Sequence, residues 1–161
     1  PHPLPGLLFP QRSVRDNRYK LIVTLRNGID NPVETYYTQH AIIDTGVTQW
    51  ELDHQADEPT RRAYQAWRRP GAVELYDLKE DPWEFRNLAE EPALRPVRDR
   101  LLATLQNWQR ETGDRLSLPE NLARLEAEDE AAARNPGSHK KPGFRWRYGD
   151  YLDAARPTET A

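Results

Sequence analysis

Metal-assisted hydrolysis would need several His, Asp or Glu side chains converging on one ion, but His2, His40, His54 and His139 stand in four separate, mostly loop-like segments. Composition favours a surface position for each of them. The acidic run formed by Glu126, Glu128, Asp129 and Glu130 lacks the glycine turn and spaced oxygens of a calcium loop, so it reads as a solvated helix face. Glycoside chemistry would need two carboxylates flanking a cleft, and nothing in the order of residues places Asp77, Asp81 or Glu84 in one. A serine nucleophile wants a sharp elbow between glycines, a setting that Ser13, Ser117 and Ser138 lack. The eight glycines are dispersed through turns rather than clustered ahead of a helix, which removes a phosphate-cradling loop. Residue types and spacing therefore assign no catalytic residue, no metal ligand and no cofactor to this chain. One further stretch has binding chemistry. Lys140, Lys141, Arg145 and Arg147 interleave with Phe144, Trp146, Tyr148 and Tyr151, a mixture that stacks on single-stranded nucleic acid or binds a sugar or a partner chain. Aromatic side chains seek burial, so packing of this tail back on the domain is the favoured expectation.

The elements that would position these residues read as α+β. Asp16-Asn17-Arg18 separates two runs of strand type, the second being Tyr19-Lys20-Leu21-Ile22-Val23-Thr24-Leu25, which predicts a β-hairpin. Residues 26–56 hold Asn27-Gly28, Asn31-Pro32 and Thr45-Gly46, breakers that predict a long loop with one short element around 36–43. Asp57-Glu58-Pro59 opens a helix that Arg69-Pro70-Gly71 closes, and Val73-Glu74-Leu75-Tyr76-Asp77-Leu78 alternates as a strand. Asp81 and Glu84 have capping-box spacing, predicting a short helical turn that ends near Asn87. The longest helix spans 93–112, with Leu94, Val97, Leu101, Leu105 and a buried Trp108 in one stripe and Gly113 as the left-handed stop. Ser117 and Glu120 repeat the capping-box spacing before a mostly solvated helix. The resulting architecture is a small antiparallel sheet of three or four strands with the 93–112 helix laid across one face. Residues 1–118 would form one unit, and 119–161 an added helix and a flexible basic-aromatic tail.

With 161 residues the core is modest, and 37% hydrophobic against 30% charged residues gives a polar chain. A net charge of -3 argues against a general nucleic-acid binder, which needs a basic excess on one face. No apolar run reaches the ~20 residues that cross a bilayer. Cysteine is absent, which excludes disulfides and thiolate metal sites. Methionine is also absent and the first residue is Pro1, so a cut or processed chain is expected.

Two blocks carry a resemblance. They are Arg12-Ser13-Val14-Arg15-Asp16-Asn17-Arg18-Tyr19-Lys20-Leu21-Ile22, and Glu74-Leu75-Tyr76-Asp77-Leu78-Lys79-Glu80-Asp81-Pro82-Trp83-Glu84-Phe85-Arg86-Asn87-Leu88-Ala89. With a helix ending Trp108-Gln109-Arg110-Glu111-Thr112-Gly113-Asp114, they resemble the C-terminal region of sulfatases, and among these the heparan N-sulfatase (N-sulfoglucosamine sulfohydrolase) type. The resemblance covers roughly residues 9–118. It implies a subdomain of an alkaline-phosphatase-like fold, resting beside an N-terminal catalytic domain that hydrolyses sulfate esters or sulfamates of sugars. It also implies a formylglycine, made from the cysteine or serine of a Cys/Ser-x-Pro/Ala-x-Arg motif, and a calcium ion held by Asp and Asn side chains. Ser117-Leu118-Pro119-Glu120-Asn121 matches only the serine and proline of that motif, with Asn121 where arginine is required. The catalytic residues are therefore expected upstream, in a part of the protein that this sequence does not include. Residues before Phe9 would lie nearest the sulfated-saccharide pocket, making His2 a candidate substrate-lining residue. The resemblance further implies export, and removal of the catalytic domain would leave the apolar side chains of 26–56 open to self-association. The competing reading is a stand-alone interaction or carbohydrate-binding module without catalysis.

Overall fold

A computed structural model of the chain describes residues 4–40 and 47–153. His2, Ile42, Ile43 and the end of the tail beyond Asp153 lie outside the described residues, as does the side chain of His40. Two compact units emerge, Phe9–Gln106 and a second made of Pro1–Leu8 with Asn107–Ala161.

The hairpin forms where strand-type residues flank a turn that Asp16 organises. Strands β1 (Gln11–Arg15) and β2 (Tyr19–Thr24) pair antiparallel with Val14 opposite Leu21. The Asp16 carboxylate accepts from the backbone N–H groups of Tyr19 at 2.7 Å and Arg18 at 2.8 Å, the local bond that makes aspartate a turn former. Together with the Arg100 guanidinium, those bonds hold the Asp16 carboxyl at about 2, well below its ordinary value. A depressed carboxylate contributes stability that is complete above its unfolded pKa of ~4 and is lost as pH falls toward the folded value. The stability difference between the native chain and Asp16→Asn should therefore shrink between about pH 4 and pH 2. Denaturant unfolding at several pH values measures it, and a constant difference contradicts the assignment.

Strand β3 (Val73–Asp77) pairs antiparallel with β2, giving a three-stranded sheet in the order β1-β2-β3. Leu21 and Leu75 face one another across β2 and β3, both fully buried. Each buried leucine is worth about 2 kcal/mol of removed apolar surface. They pack with Ala89, Leu101 and Leu105 in one cluster. The last two come from the long helix, α4 in chain order, spanning Arg95–Thr112. It ends where Gly113 adopts φ +65° and the Asp114 N–H reaches back to the Gln109 carbonyl at 2.8 Å.

Residues 26–56 are not a long loop. They contain α1 (Pro32–His40) and α2 (Gln49–His54), which precede α3 (Glu58–Arg68). Asn31-Pro32 is a helix start rather than a breaker, since Asn31 Oδ1 accepts from the Val33 N–H at 3.0 Å and Pro32 occupies the first helical position. Thr48 and Glu51 form a complete capping box. These helices are joined by polar contacts, which a search for apolar periodicity passes over. Glu34 on α1 is 1% exposed and accepts from Arg68 Nε on α3 at 2.8 Å, while Arg68 also donates to Gln49 on α2 at 2.7 Å. As expected, Asp57 caps α3 through the Thr60 N–H at 2.9 Å.

Three capping or burial expectations fail for local reasons. Residues 81–89 form no helix: Asn87 Oδ1 accepts from the Leu75 and Ala89 N–H groups, and Leu88 N–H bonds the Leu75 carbonyl at 2.7 Å. The segment thus spends its backbone groups on β3 instead of coiling. Ser117 does not cap α5 (Pro119–Ala133); its hydroxyl donates to the Asp114 carbonyl at 2.6 Å and the helix starts at Leu118 without a side-chain cap. Trp108 is 47% exposed. The buried residues of α4 are Leu101 and Leu105, and its last two turns add none, so the apolar stripe continues beyond the part of the helix that is buried.

In the second unit, α5 is less solvated than its composition suggests. Leu125, Asn121, Asp129 and Ala132 are buried, and Asp129 accepts from the Gly6 N–H at 2.9 Å. The basic-aromatic tail packs back as expected. It ends in α6 (Tyr148–Leu152), with Trp146 and Tyr151 buried. The Tyr151 hydroxyl donates to Glu128 at 3.0 Å, and the Arg124 guanidinium lies 4.2 Å from its ring centroid.

Candidate functional site

Alternation along the strands directs a second set of residues to the face opposite Leu21 and Leu75. Ile22 stands across from Glu74 and Lys20 across from Tyr76. With Ala63, Ala66 and Trp67 of α3 and the loop residues Trp83, Glu84 and Phe85, this face encloses a cleft of about 240 Å³. At its floor Glu74 and Tyr76 are each only 6% exposed, and the Tyr76 hydroxyl donates to Glu74 Oε1 at 2.7 Å. Burial raises the Glu74 carboxyl above its ordinary value, and burial next to that carboxylate pushes the Tyr76 phenol up as well. Lys20 Nζ contacts both oxygens of Glu84, at 2.7 and 2.8 Å, so this ammonium is already committed. Glu84 sits at φ +60°, a left-handed conformation uncommon for a residue with a Cβ. Trp83 at 76% and Phe85 at 53% exposed form the open rim.

The carboxylates that the sequence singled out are not assembled as an acid-base pair. Both oxygens of Asp77 are taken by Arg18, and Asp81 caps the Arg86 N–H at 2.8 Å, while Glu84 alone reaches the cleft. The residue sequence reasoning missed is Glu74. Its signal was present, because in Val-Glu-Leu-Tyr-Asp a glutamate and a tyrosine two apart share one strand face. His54 stacks on Trp50 at 4.9 Å, away from the cleft lining, and His2 lies outside the described residues. Among the described residues no three His, Asp or Glu side chains gather as metal ligands.

An acid with a raised folded pKa ionises at a cost, so stability falls as pH rises from its unfolded value of ~4.3. Glu74→Gln keeps an acceptor for Tyr76 and removes the buried charge. The variant should melt at a higher temperature than the native chain at pH 7, with the gap closing below about pH 4. An unchanged or lower melting temperature at pH 7 contradicts this account of Glu74.

No protein-family model matches the chain. Two curated proteins do, both ulvan-active sulfatases of Formosa agariphila. One is 32% identical over 110 residues, covering 68% of this chain and 19% of that protein. The other is 32% identical over 113 residues, covering 68% of this chain and 18% of that protein. The matched stretch is a sulfatase-related region. The sulfatase-related chain spans about a fifth of the length of these relatives. Its fold is α+β, built on the three-stranded antiparallel sheet and α4. Its residues do not fit a formylglycine. There is no cysteine, the Ser117 hydroxyl is engaged by the Asp114 carbonyl, and Asn121, in the position of the required arginine, is buried and donates to the Arg115 carbonyl at 2.9 Å.

Proposed function

We propose that this chain is the C-terminal structural subdomain of a sulfatase that hydrolyses sulfate esters or sulfamates of sugars, with the catalytic centre in a preceding domain of the same protein. The observation that carries the reading is 32% identity to two sulfatases over two thirds of the chain, combined with the chain's span of only a fifth of their length. The nucleophile and its charge-stabilising arginine, which acyl- and sulfuryl-transfer chemistry both need in some form, have no counterpart at Ser117 and Asn121. In this reading the parent enzyme uses formylglycine and calcium, is exported, and presents His2 toward a sulfated saccharide. The Arg12 to Ala89 blocks resemble the heparan N-sulfatase type, the matched relatives are ulvan-active sulfatases, and the reading covers both O-sulfate and N-sulfate substrates.

The isolated chain should release no sulfate from aryl sulfates, sulfated ulvan oligosaccharides or N-sulfoglucosamine. Ion chromatography of the released sulfate checks this, and calcium-dependent turnover by the purified chain contradicts it. In the parent enzyme, His2→Ala should raise KM and leave kcat unchanged, the mark of lost uniform binding. Equal kinetics remove His2 from the pocket.

A further inference from the structure

We propose that the cleft on the second sheet face receives a guanidinium side chain from the catalytic part of the parent polypeptide, seated between Trp83 and Phe85 with its fork on Glu74. The identity of that polypeptide rests on the sulfatase reading; the chemistry of the cleft does not. Glu74 is only 6% exposed while Trp83 is three-quarters open, and its hydrogen-bond partner among the described residues is the neutral Tyr76 phenol. One carboxylate oxygen accepts from Tyr76, and the carboxylate lines the open cleft. The nearest ammonium, Lys20, is held by both oxygens of Glu84. A buried carboxylate in this state is costly and is relieved by a cation that brings N–H donors.

The surrounding surface selects the kind of cation. Trp67, Trp83 and Phe85 offer aromatic faces, on which a planar guanidinium stacks while its fork bonds a carboxylate. The cleft disfavours a sulfated saccharide, because its lining contributes two carboxylates, Glu74 and Glu84, while Lys20 lies outside the lining and is paired with Glu84. Exposed aromatics around a buried charged floor form the anatomy of an interface anchor pocket.

The test titrates the chain with acetyl-arginine-amide and, in parallel, its neutral citrulline counterpart, following the indole N–H resonances by NMR. The arginine compound should shift the Trp83 resonance saturably in the millimolar range, with the citrulline compound weaker by about tenfold or more. Glu74→Gln should reduce the arginine affinity by at least about tenfold. Trp83→Ala, at an exposed rim position that leaves the fold intact, should weaken it without changing the melting temperature. Absence of saturation, equal response to citrulline, unchanged affinity in Glu74→Gln, or preferential binding of a sulfated oligosaccharide overturns the proposal. Sequencing the upstream reading frame separates the two readings. A formylglycine motif there with no arginine binding removes only the cleft assignment, whereas arginine binding with no motif leaves the cleft and removes the sulfatase reading.

Discussion

Leu101→Ala is expected to destabilise the chain by about 2–5 kcal/mol, the range for truncating a leucine in a core that cannot collapse around the gap. Leu101 is 1% exposed and packs in the cluster of Leu21, Leu75, Ala89 and Leu105, where helix α4 meets the sheet. Against a typical domain stability of ~5–15 kcal/mol, that loss is a large fraction of the whole. Trp108→Ala, two turns further along the same sequence stripe, should cost about 1 kcal/mol or less, because its ring is half exposed. Urea unfolding of both variants measures the contrast. Equal losses would place Trp108 in a core and contradict the packing described for α4.

Breaking the Glu34 ion pair should have the next largest effect. Arg68→Leu removes the guanidinium that pairs with a carboxylate only 1% exposed, together with the bond to Gln49 that ties in α2. Uncompensated buried charge costs about 3–5 kcal/mol, and the partly exposed position of Arg68 brings the expectation to about 2–3 kcal/mol. Most of that cost belongs to the stranded carboxylate rather than to the pair itself. Adding Glu34→Gln to Arg68→Leu should therefore recover part of the loss, and the double-mutant cycle should be strongly non-additive. Additive losses would mean that the helices are held by their apolar contacts alone.

These two cases mark what was legible in the sequence. The hairpin, strand β3, helix α3 and helix α4 announce themselves through alternation, caps and a leucine stripe, because each buries apolar side chains at the period of its own backbone. Helices α1 and α2 carry local start signals at Asn31-Pro32 and Thr48/Glu51 but no apolar stripe, and the Glu34–Arg68–Gln49 contact that joins them to α3 links residues distant in sequence. The 81–89 segment reads as a helix start by spacing alone, and only the edge of β3, brought alongside by folding, gives its backbone better partners. The candidate cleft was half legible for the same reason. Glu84 stood out by its spacing from Asp81; the alternation of β3 puts Glu74 and Tyr76 on one face, but the burial that raises the Glu74 carboxyl comes from residues distant in sequence.

Sulfate release by the protein of the complete reading frame, compared with release by this chain alone, tests the central claim most directly. The longer protein should liberate sulfate from N-sulfoglucosamine or from a sulfated ulvan oligosaccharide, lose that activity when its formylglycine precursor is replaced by alanine, and leave the 161-residue chain inactive on the same substrates. Release by the 161-residue chain, or none by the longer protein across both substrate types, would contradict the assignment of this chain as a sulfatase's structural subdomain.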